Sequence, residues 1–211
     1  MAFAKQFVSC INVILSPLKE KIMIRFFTVL LATFFVSAAA EGQTAGNPVT
    51  EAILFGYSAR MFASEPVSDS DIDLILRCGI KAPSARNSQS WKFTVVRDDA
   101  LNGSIIRDFA PGNVLIFISG PESGQQGSLV DFDCALATEN MFIAAQSLGL
   151  GARIYGGPVG QVNQEKREEL EIPEGYRVIS ILRIGHLEQG VDAVSSASTR
   201  KSMEEVVNYR D

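Results

Sequence analysis

The sequence predicts an α+β domain, in which helices surround a few strands in mixed order. Residues 113–119 (NVLIFIS) form an apolar run that suits a central strand buried on both faces. Residues 176–184 (YRVISILRI) predict a second strong strand. Between these two, residues 129–148 predict the longest helix of the chain, which is rich in Ala and ends at Gly149.

An export signal is predicted to precede this domain, over residues 1–40. Residues 26–40 (FFTVLLATFFVSAAA) carry no charge and end in an A-x-A cleavage pattern, and Arg25 stands just before them. The apolar run is short for a membrane span, which needs about 20 residues. It is apolar on every face, so a buried core helix is disfavoured. We expect a signal peptide or an N-terminal anchor, with Met23 as an alternative start, followed by one domain over 41–211.

This signal determines the expected location. A cleaved signal places the domain in the periplasm or outside the cell, and an uncleaved one leaves it anchored to the membrane. If the signal is not used, the protein is cytoplasmic.

Four more elements precede the strand over 113–119. They are a helix over 48–55, a helix from Ser68 to Gly79, a strand over 91–96 (WKFTVV) and a helix over 101–109. Asn47 before Pro48, and Ser68 three residues before Asp71, are typical helix starts. Gly103 weakens the fourth element.

Two further segments are predicted in the last third of the chain, in addition to the strand over 176–184. Residues 164–170 predict a charged surface helix that Pro173 closes. The tail from Ser198 is polar until Met203, after which its apolar residues give it something to pack.

Composition argues against several classes of function. The 211 residues carry a net charge of −5 and no long basic run, which disfavours nucleic-acid binding. The chain contains no CxxC motif and no Cys/His ligand spacing, which argues against a zinc site. Cys78 and Cys134 lie in apolar surroundings that favour buried free thiols, although a bridge between them stays open. His186 has no partner motif, so we expect a structural role for it.

A polar segment before the lone tryptophan is the most informative part of the chain. Residues 82–91 (APSARNSQSW) follow a helix and precede a strand, with little bulk before Trp91. Pro83 restricts the backbone, and the amides of Asn87 and Gln89 can donate and accept hydrogen bonds, which suits the edge of a flat ring. On composition alone, a polar connecting loop is the simpler interpretation.

This segment resembles the nitroreductase motif A-P-S-x-x-N-x-Q-P-W, and four other pieces line up in the family's order. They are Ser58–Phe62 with R-R-S-x-R-x-F, Asn140–Gly151 with the central helix ending in G-L-G, Ile184–Gly185 with the closing I-G turn, and Arg200–Tyr209 with R-K-x-x-x-E-x-V. Each piece alone is weak, but five in order are specific. The resemblance covers about Ile53 to Tyr209.

The resemblance implies a nitroreductase-like fold: a central mixed or antiparallel sheet surrounded by helices, in a homodimer that exchanges its C-terminal arms. It also implies one noncovalent FMN per subunit, held at the dimer interface. The residues that match the family's cofactor-binding positions are Ser58, Arg60, Pro83, Ser84, Ala85, Asn87, Gln89, Gly156, Gly157, Arg200 and Lys201.

Each group of these residues has an implied role. Ser58 and Arg60 would contact the ribityl–phosphate or pyrimidine side. Pro83, Ser84, Ala85 and Asn87 would approach the ring from the partner subunit, and Gln89 would bond near the ring or ribityl chain. The backbone at Gly156 and Gly157 would donate near flavin N5. Arg200, with Lys201, would bind the phosphate, for which an arginine fork is well suited.

Two departures from the family pattern matter. Gly56 stands where the first arginine of R-R-S-x-R is expected, so one phosphate contact is missing. Ser90 replaces the proline before Trp91. The region that would supply a lid is also short, which predicts an open substrate face.

The implied activity is ping-pong electron transfer from NAD(P)H or another reduced donor to nitroaromatic, quinone or similar small acceptors. No side chain is expected to act as a nucleophile, since the flavin carries the chemistry. Export would conflict with the use of NAD(P)H as the donor, because nicotinamide donors are scarce outside the cytoplasm. Two alternatives stay open: another reaction on the same scaffold, such as dehalogenation, dehydrogenation or flavin breakdown, and a non-catalytic flavin-binding protein.

Overall fold

The computed structural model describes residues 46–122, 127–190 and 199–210. The predicted signal over 1–40 lies outside the described residues. Contacts within the chain divide it between Gly46 and Asn47, and the fold below is that of the second unit. No helix in the described part is both long and apolar enough to cross a membrane.

Six α-helices and four strands follow each other along the described chain. In order they are α1 (Pro48–Leu54), α2 (Asp69–Ile80), β1 (Lys92–Val96), α3 (Asp99–Ile105), β2 (Val114–Pro121), α4 (Gly127–Ser147), β3 (Gly151–Tyr155), α5 (Val159–Glu165), β4 (Tyr176–Gly185) and α6 (Met203–Val206). Local chemistry sets the predicted starts: Asn47 Oδ1 accepts from the amide of Val49 at 3.0 Å, and Ser68 Oγ accepts from that of Asp71 at 3.1 Å.

The four strands form one antiparallel sheet in the order β1-β2-β4-β3. This confirms the predicted α+β fold and its antiparallel sheet. The apolar run predicted as a central strand is β2, whose residues Val114–Ile118 are fully buried. Its two edges pair with β1 and β4, and its side chains alternate between the cores on the two faces of the sheet. The sheet leaves β1 and β3 as its edges.

Helices cover both faces of the sheet. On one face α4 packs against β2, β3 and β4, and α2 packs against α4, through a core that includes Ile75, Ala137 and Met141. On the other face the helices α3 and α5 cover a second core. The α4 helix is long because Ala and other small residues let it lie flat on the sheet, and Gly149 ends it with a φ of +76°.

The prediction of a helix over 164–170 was wrong. The helix α5 begins earlier, at Val159, and residues 166–171 form turns. Arg167 explains the difference, because its guanidinium pairs with Glu122 and donates to the carbonyl of Tyr176, which holds these turns against the start of β4.

Two smaller differences, and the state of the two cysteines, complete the comparison. The helix predicted over 101–109 starts at Asp99 and ends at Ile105, because Asp98 caps it through a 2.8 Å bond from the amide of Leu101. The short strand β3 was not predicted, since a five-residue strand that begins with glycine carries little pattern. Cys78 and Cys134 are both free thiols, so no bridge joins them.

Candidate functional site

The polar loop between α2 and β1 holds an unusual backbone. Residues Ala85–Asn87 form a 3-10 turn, and three residues that are not glycine have left-handed φ angles: Arg86 at 54°, Asn87 at 57° and Gln89 at 46°. Such conformations cost about 1–3 kcal/mol each and persist only where the surroundings impose them. Strain concentrated in four residues is typical of a functional loop.

Asp133 of α4 imposes this conformation. Its carboxylate accepts from the amide of Ala85 at 2.9 and 3.1 Å and from the hydroxyl of Ser88 at 3.3 Å. Asp133 is only 2% exposed, so these bonds form away from bulk water, where they are stronger. The sequence analysis missed Asp133, because its partners Ala85 and Ser88 lie far away along the chain.

The loop turns its polar side chains outward. Pro83, Asn87 and Gln89 are exposed, and Ser84 and Ala85 are half-buried. The hydroxyl of Ser84 accepts from the amide of Gln89 at 3.1 Å, so Ser84 supports the loop itself. Of the predicted contact residues here, Asn87 and Gln89 therefore have the side chains best placed to meet a ligand.

A second region lies beyond the end of α1. A cavity of about 280 Å³ there is lined by Ser58 and Arg200 together with Glu139, Phe142 and Ile154. The structure thus brings Ser58 and Arg200 together. Lys201 follows Arg200 and is exposed.

Gly56 borders the same cavity and explains the missing arginine. A Cβ at this position would lie 2.6 Å from the carbonyl oxygen of Ala52 and 2.9 Å from Oε1 of Gln146. Because the first of these atoms is backbone, the end of α1 would have to move to admit any side chain. The same Gln146 oxygen accepts from the amide of Tyr57 at 2.8 Å, which fixes the segment that leads to Ser58.

Arg60 lines a third region, on the other side of β3. This cavity of about 400 Å³ also contains Arg153, Tyr155 and Pro158. Gly156 and Gly157, just before Pro158, are exposed, and a Cβ on either would meet nothing within 4 Å. The edge strand β3 therefore contributes to both cavities, through Ile154 and through Tyr155, and its exposed end offers bare backbone beside them.

One protomer does not bring the polar loop to this edge. The loop is bonded to Asp133, whereas the Ser58 cavity is lined by Ile143 of the same helix. Ten helical residues span about 15 Å, so the two regions lie well apart on the α4 helix.

His186 and Cys134 lie outside these regions. The His186 Nε2 atom is 4.0 Å from a Glu65 carboxylate oxygen, and the carbonyl of His186 accepts from the amide of Ala63. Burial, reinforced by the nearby carboxylates of Asp131 and Asp133, raises the pKa of the Cys134 thiol to about 12. That thiol is therefore neutral and chemically inert at ordinary pH.

Comparison with known proteins decides the family. The model of the nitroreductase family matches residues 55–113 and 107–186, which span the polar loop, the whole sheet and the Gly156–Gly157 edge. The chain belongs to the nitroreductase family. As a member of this family, it carries four of the five motif pieces inside the matched residues, and the fifth, Arg200–Tyr209, follows them.

Three relatives illustrate the similarity. An Archaeoglobus fulgidus protein, whose name proposes an NADH dehydrogenase or NAD(P)H nitroreductase, is 34% identical over 61% of this chain and 79% of its own. The 5,6-dimethylbenzimidazole synthase of Rhodospirillum rubrum is 38% identical over 60% of this chain and 75% of its own. Among solved structures, a proposed nitroreductase of Desulfovibrio desulfuricans in complex with FMN is 28% identical, with a TM-score of 0.68 over 79% of this chain and 99% of its own.

Proposed function

We propose that this nitroreductase-family chain is an FMN-dependent oxidoreductase that passes electrons from NAD(P)H, or another reduced donor, to nitroaromatic, quinone or similar small acceptors by a ping-pong mechanism. The observation that carries the proposal is the exposed edge of β3. Its bare backbone at Gly156 and Gly157 is flanked by Tyr155 and Pro158, which line the cavity bearing Arg60, and Ile154 just before them lines the cavity bearing Arg200. The FMN in the related Desulfovibrio structure supports the same cofactor here.

The residues present fit an FMN. No described side chain occupies the space in front of Gly156 and Gly157, so a flat ring can approach their amides. Arg200 is suited to hold the phosphate by a bidentate, charge-assisted contact, with Ser58 as a neighbouring donor. Arg60 supplies positive charge on the other side of β3, where it stabilises negative charge on the reduced ring.

The chain's own residues hold and orient the cofactor, and the cofactor supplies the redox chemistry. When bound, FMN would supply the redox chemistry between a hydride donor and an electron acceptor. The Gly157 amide would donate toward the reacting edge of the ring, and Arg60 and Arg200 would orient it.

The proposal includes a homodimer, because Asn87 and Gln89 must come from a second copy. Exposed apolar side chains support it, among them Phe55 at 77% and Tyr209 at 81% exposure. Apolar groups exposed on α1 and on the C-terminal arm are typical of surfaces that a partner covers. Light scattering should give the mass of two chains at micromolar concentration, and a monomer that still binds FMN would contradict this part of the proposal.

The first experiment measures FMN binding. Purified protein should be yellow, or take up FMN with a micromolar or lower Kd followed by quenching of flavin fluorescence. Arg200→Gln should raise that Kd tenfold or more, since a charge-assisted contact contributes about 1.5–3 kcal/mol. Arg77→Gln, on the exposed face of α2, is the matched control and should leave the Kd unchanged. A colourless protein that no FMN binds would refute the proposal.

The second experiment identifies the donor. NADH, NADPH and reduced quinols should be mixed anaerobically with the FMN-loaded protein, and bleaching of the flavin band should be followed. Bleaching by a nicotinamide donor supports the proposed reaction. Flavin that stays oxidised with every donor would favour a non-catalytic binding protein.

A second candidate function consumes the flavin itself. The 38% identity to a 5,6-dimethylbenzimidazole synthase favours it, since that product carries the same dimethylbenzene ring as FMN. Mass spectrometry after incubation of the protein with reduced FMN and oxygen would detect dimethylbenzimidazole. Intact FMN after many turnovers would exclude this reaction.

We also propose that residues 1–40 direct export of the domain over 41–211. Amino-terminal sequencing of the protein from its native host would then begin near Glu41. An intact residue 1 or 23 on a soluble cytoplasmic protein would contradict the proposal.

A further inference from the structure

The cavity beside Arg60 holds an unusual concentration of positive charge. Four arginines line it, and Asp108 is the one carboxylate among its lining residues. The arginines are Arg60, Arg107, Arg153 and Arg183. They stand out because the domain around them is acidic. The whole chain carries a net charge of −5, yet its first 40 residues contain four basic residues and one acidic one, so the negative charge lies in the rest of the chain.

Arg183 is built into the wall of this cavity. It is 3% exposed, and its guanidinium lies between the rings of Phe62 at 4.0 Å and Phe109 at 4.9 Å. Its Nε donates to Oδ1 of Asn113 at 2.9 Å, and another nitrogen reaches the carbonyl of Asp108 at 3.5 Å. These contacts orient the charge without neutralising it.

Arg153 faces Arg183 directly across the β3–β4 ladder. Like charges placed opposite each other on one sheet face repel. Burial lowers the pKa of Arg183, a hydrogen bond to Tyr155 partly opposes this, and the charge of Arg153 makes a smaller lowering contribution. Among the described residues, no carboxylate pairs with Arg107, Arg153 or Arg183 within ion-pair distance. An anion between these side chains would offset the repulsion.

The cavity lies next to the proposed reaction edge. Tyr155 and Pro158 line it on either side of Gly156 and Gly157. Arg153 precedes Gly156 by three residues of extended chain, which is about 10 Å. A ligand that reacts at this edge can therefore place an acidic group among the arginines while its reacting atom stays at the glycines.

We propose that this arginine-lined cavity binds a phosphate group of the nicotinamide dinucleotide donor. The inference rests on the proposed function and adds a subsite to it. Phosphate fits because arginine forks bind its oxygens bidentately. FMN also carries a phosphate, so the test must distinguish the two sources.

Arg153→Gln is the test variant, with Arg77→Gln as its control. On the FMN-loaded dimer, kcat/KM for NADH and NADPH should fall at least tenfold, which corresponds to about 1.4 kcal/mol. For reduced nicotinamide riboside, which has no phosphate, kcat/KM should stay within twofold. Equal losses with all three donors, or no loss with any, would overturn the proposal.

Two further readouts do not depend on turnover. Inorganic pyrophosphate should raise the melting temperature of the FMN-loaded wild type and of Arg77→Gln, but not of Arg153→Gln. The Kd for FMN should be the same in all three proteins; a selective loss of FMN in Arg153→Gln would assign the cavity to the cofactor's phosphate and overturn the proposal. If no donor reduces the flavin, the proposed function fails, and the pyrophosphate shift still decides whether the cavity binds phosphate.

Arg153→Gln is not expected to unfold the protein. It removes the stacking of Arg153 on Tyr155, at 4.6 Å, but also the repulsion from Arg183. Its melting temperature without ligand should therefore stay close to that of the wild type. A large drop would assign Arg153 a structural role and count against the subsite.

Discussion

Removing the Asp133 carboxylate should release the polar loop and weaken FMN binding. Asp133→Asn keeps the shape of the side chain but removes its charge. The hydrogen bonds that the carboxylate accepts from the amide of Ala85 and the hydroxyl of Ser88 are therefore weakened. Bonds to a charged group contribute about 1.5–3 kcal/mol, against about 0.5–1.5 kcal/mol for neutral ones. We therefore expect a loss of about 1.5 kcal/mol in the free energy of unfolding.

The loop conformation links this loss to the cofactor. Arg86, Asn87 and Gln89 hold left-handed backbone that relaxes when the anchor weakens. The measured affinity for FMN is proportional to the fraction of molecules whose loop keeps the binding conformation. If the released 1.5 kcal/mol all goes into loop relaxation, the Kd for FMN rises about tenfold.

The assay combines urea unfolding with FMN fluorescence titration at a temperature where every variant is folded. Asp131→Asn is the matched control, because Asp131 lies on the same helix but is half-exposed in an ion pair with Arg177. Such pairs contribute about 0–1 kcal/mol. An Asp133→Asn protein that loses stability but binds FMN with the wild-type Kd would refute the link between the loop and the cofactor.

Three other predictions concern packing and protonation. Gly56→Arg should lower the melting temperature and fail to tighten FMN binding, because its Cβ would displace the carbonyl of Ala52; tighter binding measured by titration would contradict this. Gly79→Ala should cost about 1–3 kcal/mol in urea unfolding, since the new methyl meets the Met141 side chain at 2.7 Å, and an unchanged midpoint would show that Met141 moves freely. The raised pKa of Cys134 favours the folded state fully below its ordinary value of 9.0, and this contribution is lost as pH rises toward about 12. Unfolding free energy should therefore fall above pH 9, and fall less in Cys134→Ala; parallel pH profiles would exclude the thiol as the cause.

Local chemistry explains which parts of the fold were predictable. Asn47 and Ser68 are capping residues whose partners lie within three positions, so sequence spacing alone locates these helix starts. The apolar run in β2 is equally local, because burial on both faces leaves no polar position in it. The helix expected over 164–170 failed for the opposite reason: Arg167 bonds to Glu122 and Tyr176, which are 45 and 9 residues away.

The candidate site shows the same division. Motif residues such as Asn87 and Arg200 could be assigned by resemblance, since each matches a pattern of neighbours. The residues that hold or surround them could not: Asp133 lies 48 residues from Ala85, and Arg153 meets Arg183 only through the pairing of two strands. Side chains whose purpose depends on tertiary contacts leave no trace in local spacing.

The strand order carries a consequence for biosynthesis. The segment β2 is completed at Pro121, yet its inner neighbour β4 begins at Tyr176, so more than 50 residues must be made before the sheet can close. Pairing across such a separation is slow, because the loop entropy is lost before the contacts form. During that interval the VLIFIS strand is exposed to water and to other nascent chains. A chaperone that binds extended apolar segments would therefore raise the yield of folded protein most when it is present during translation.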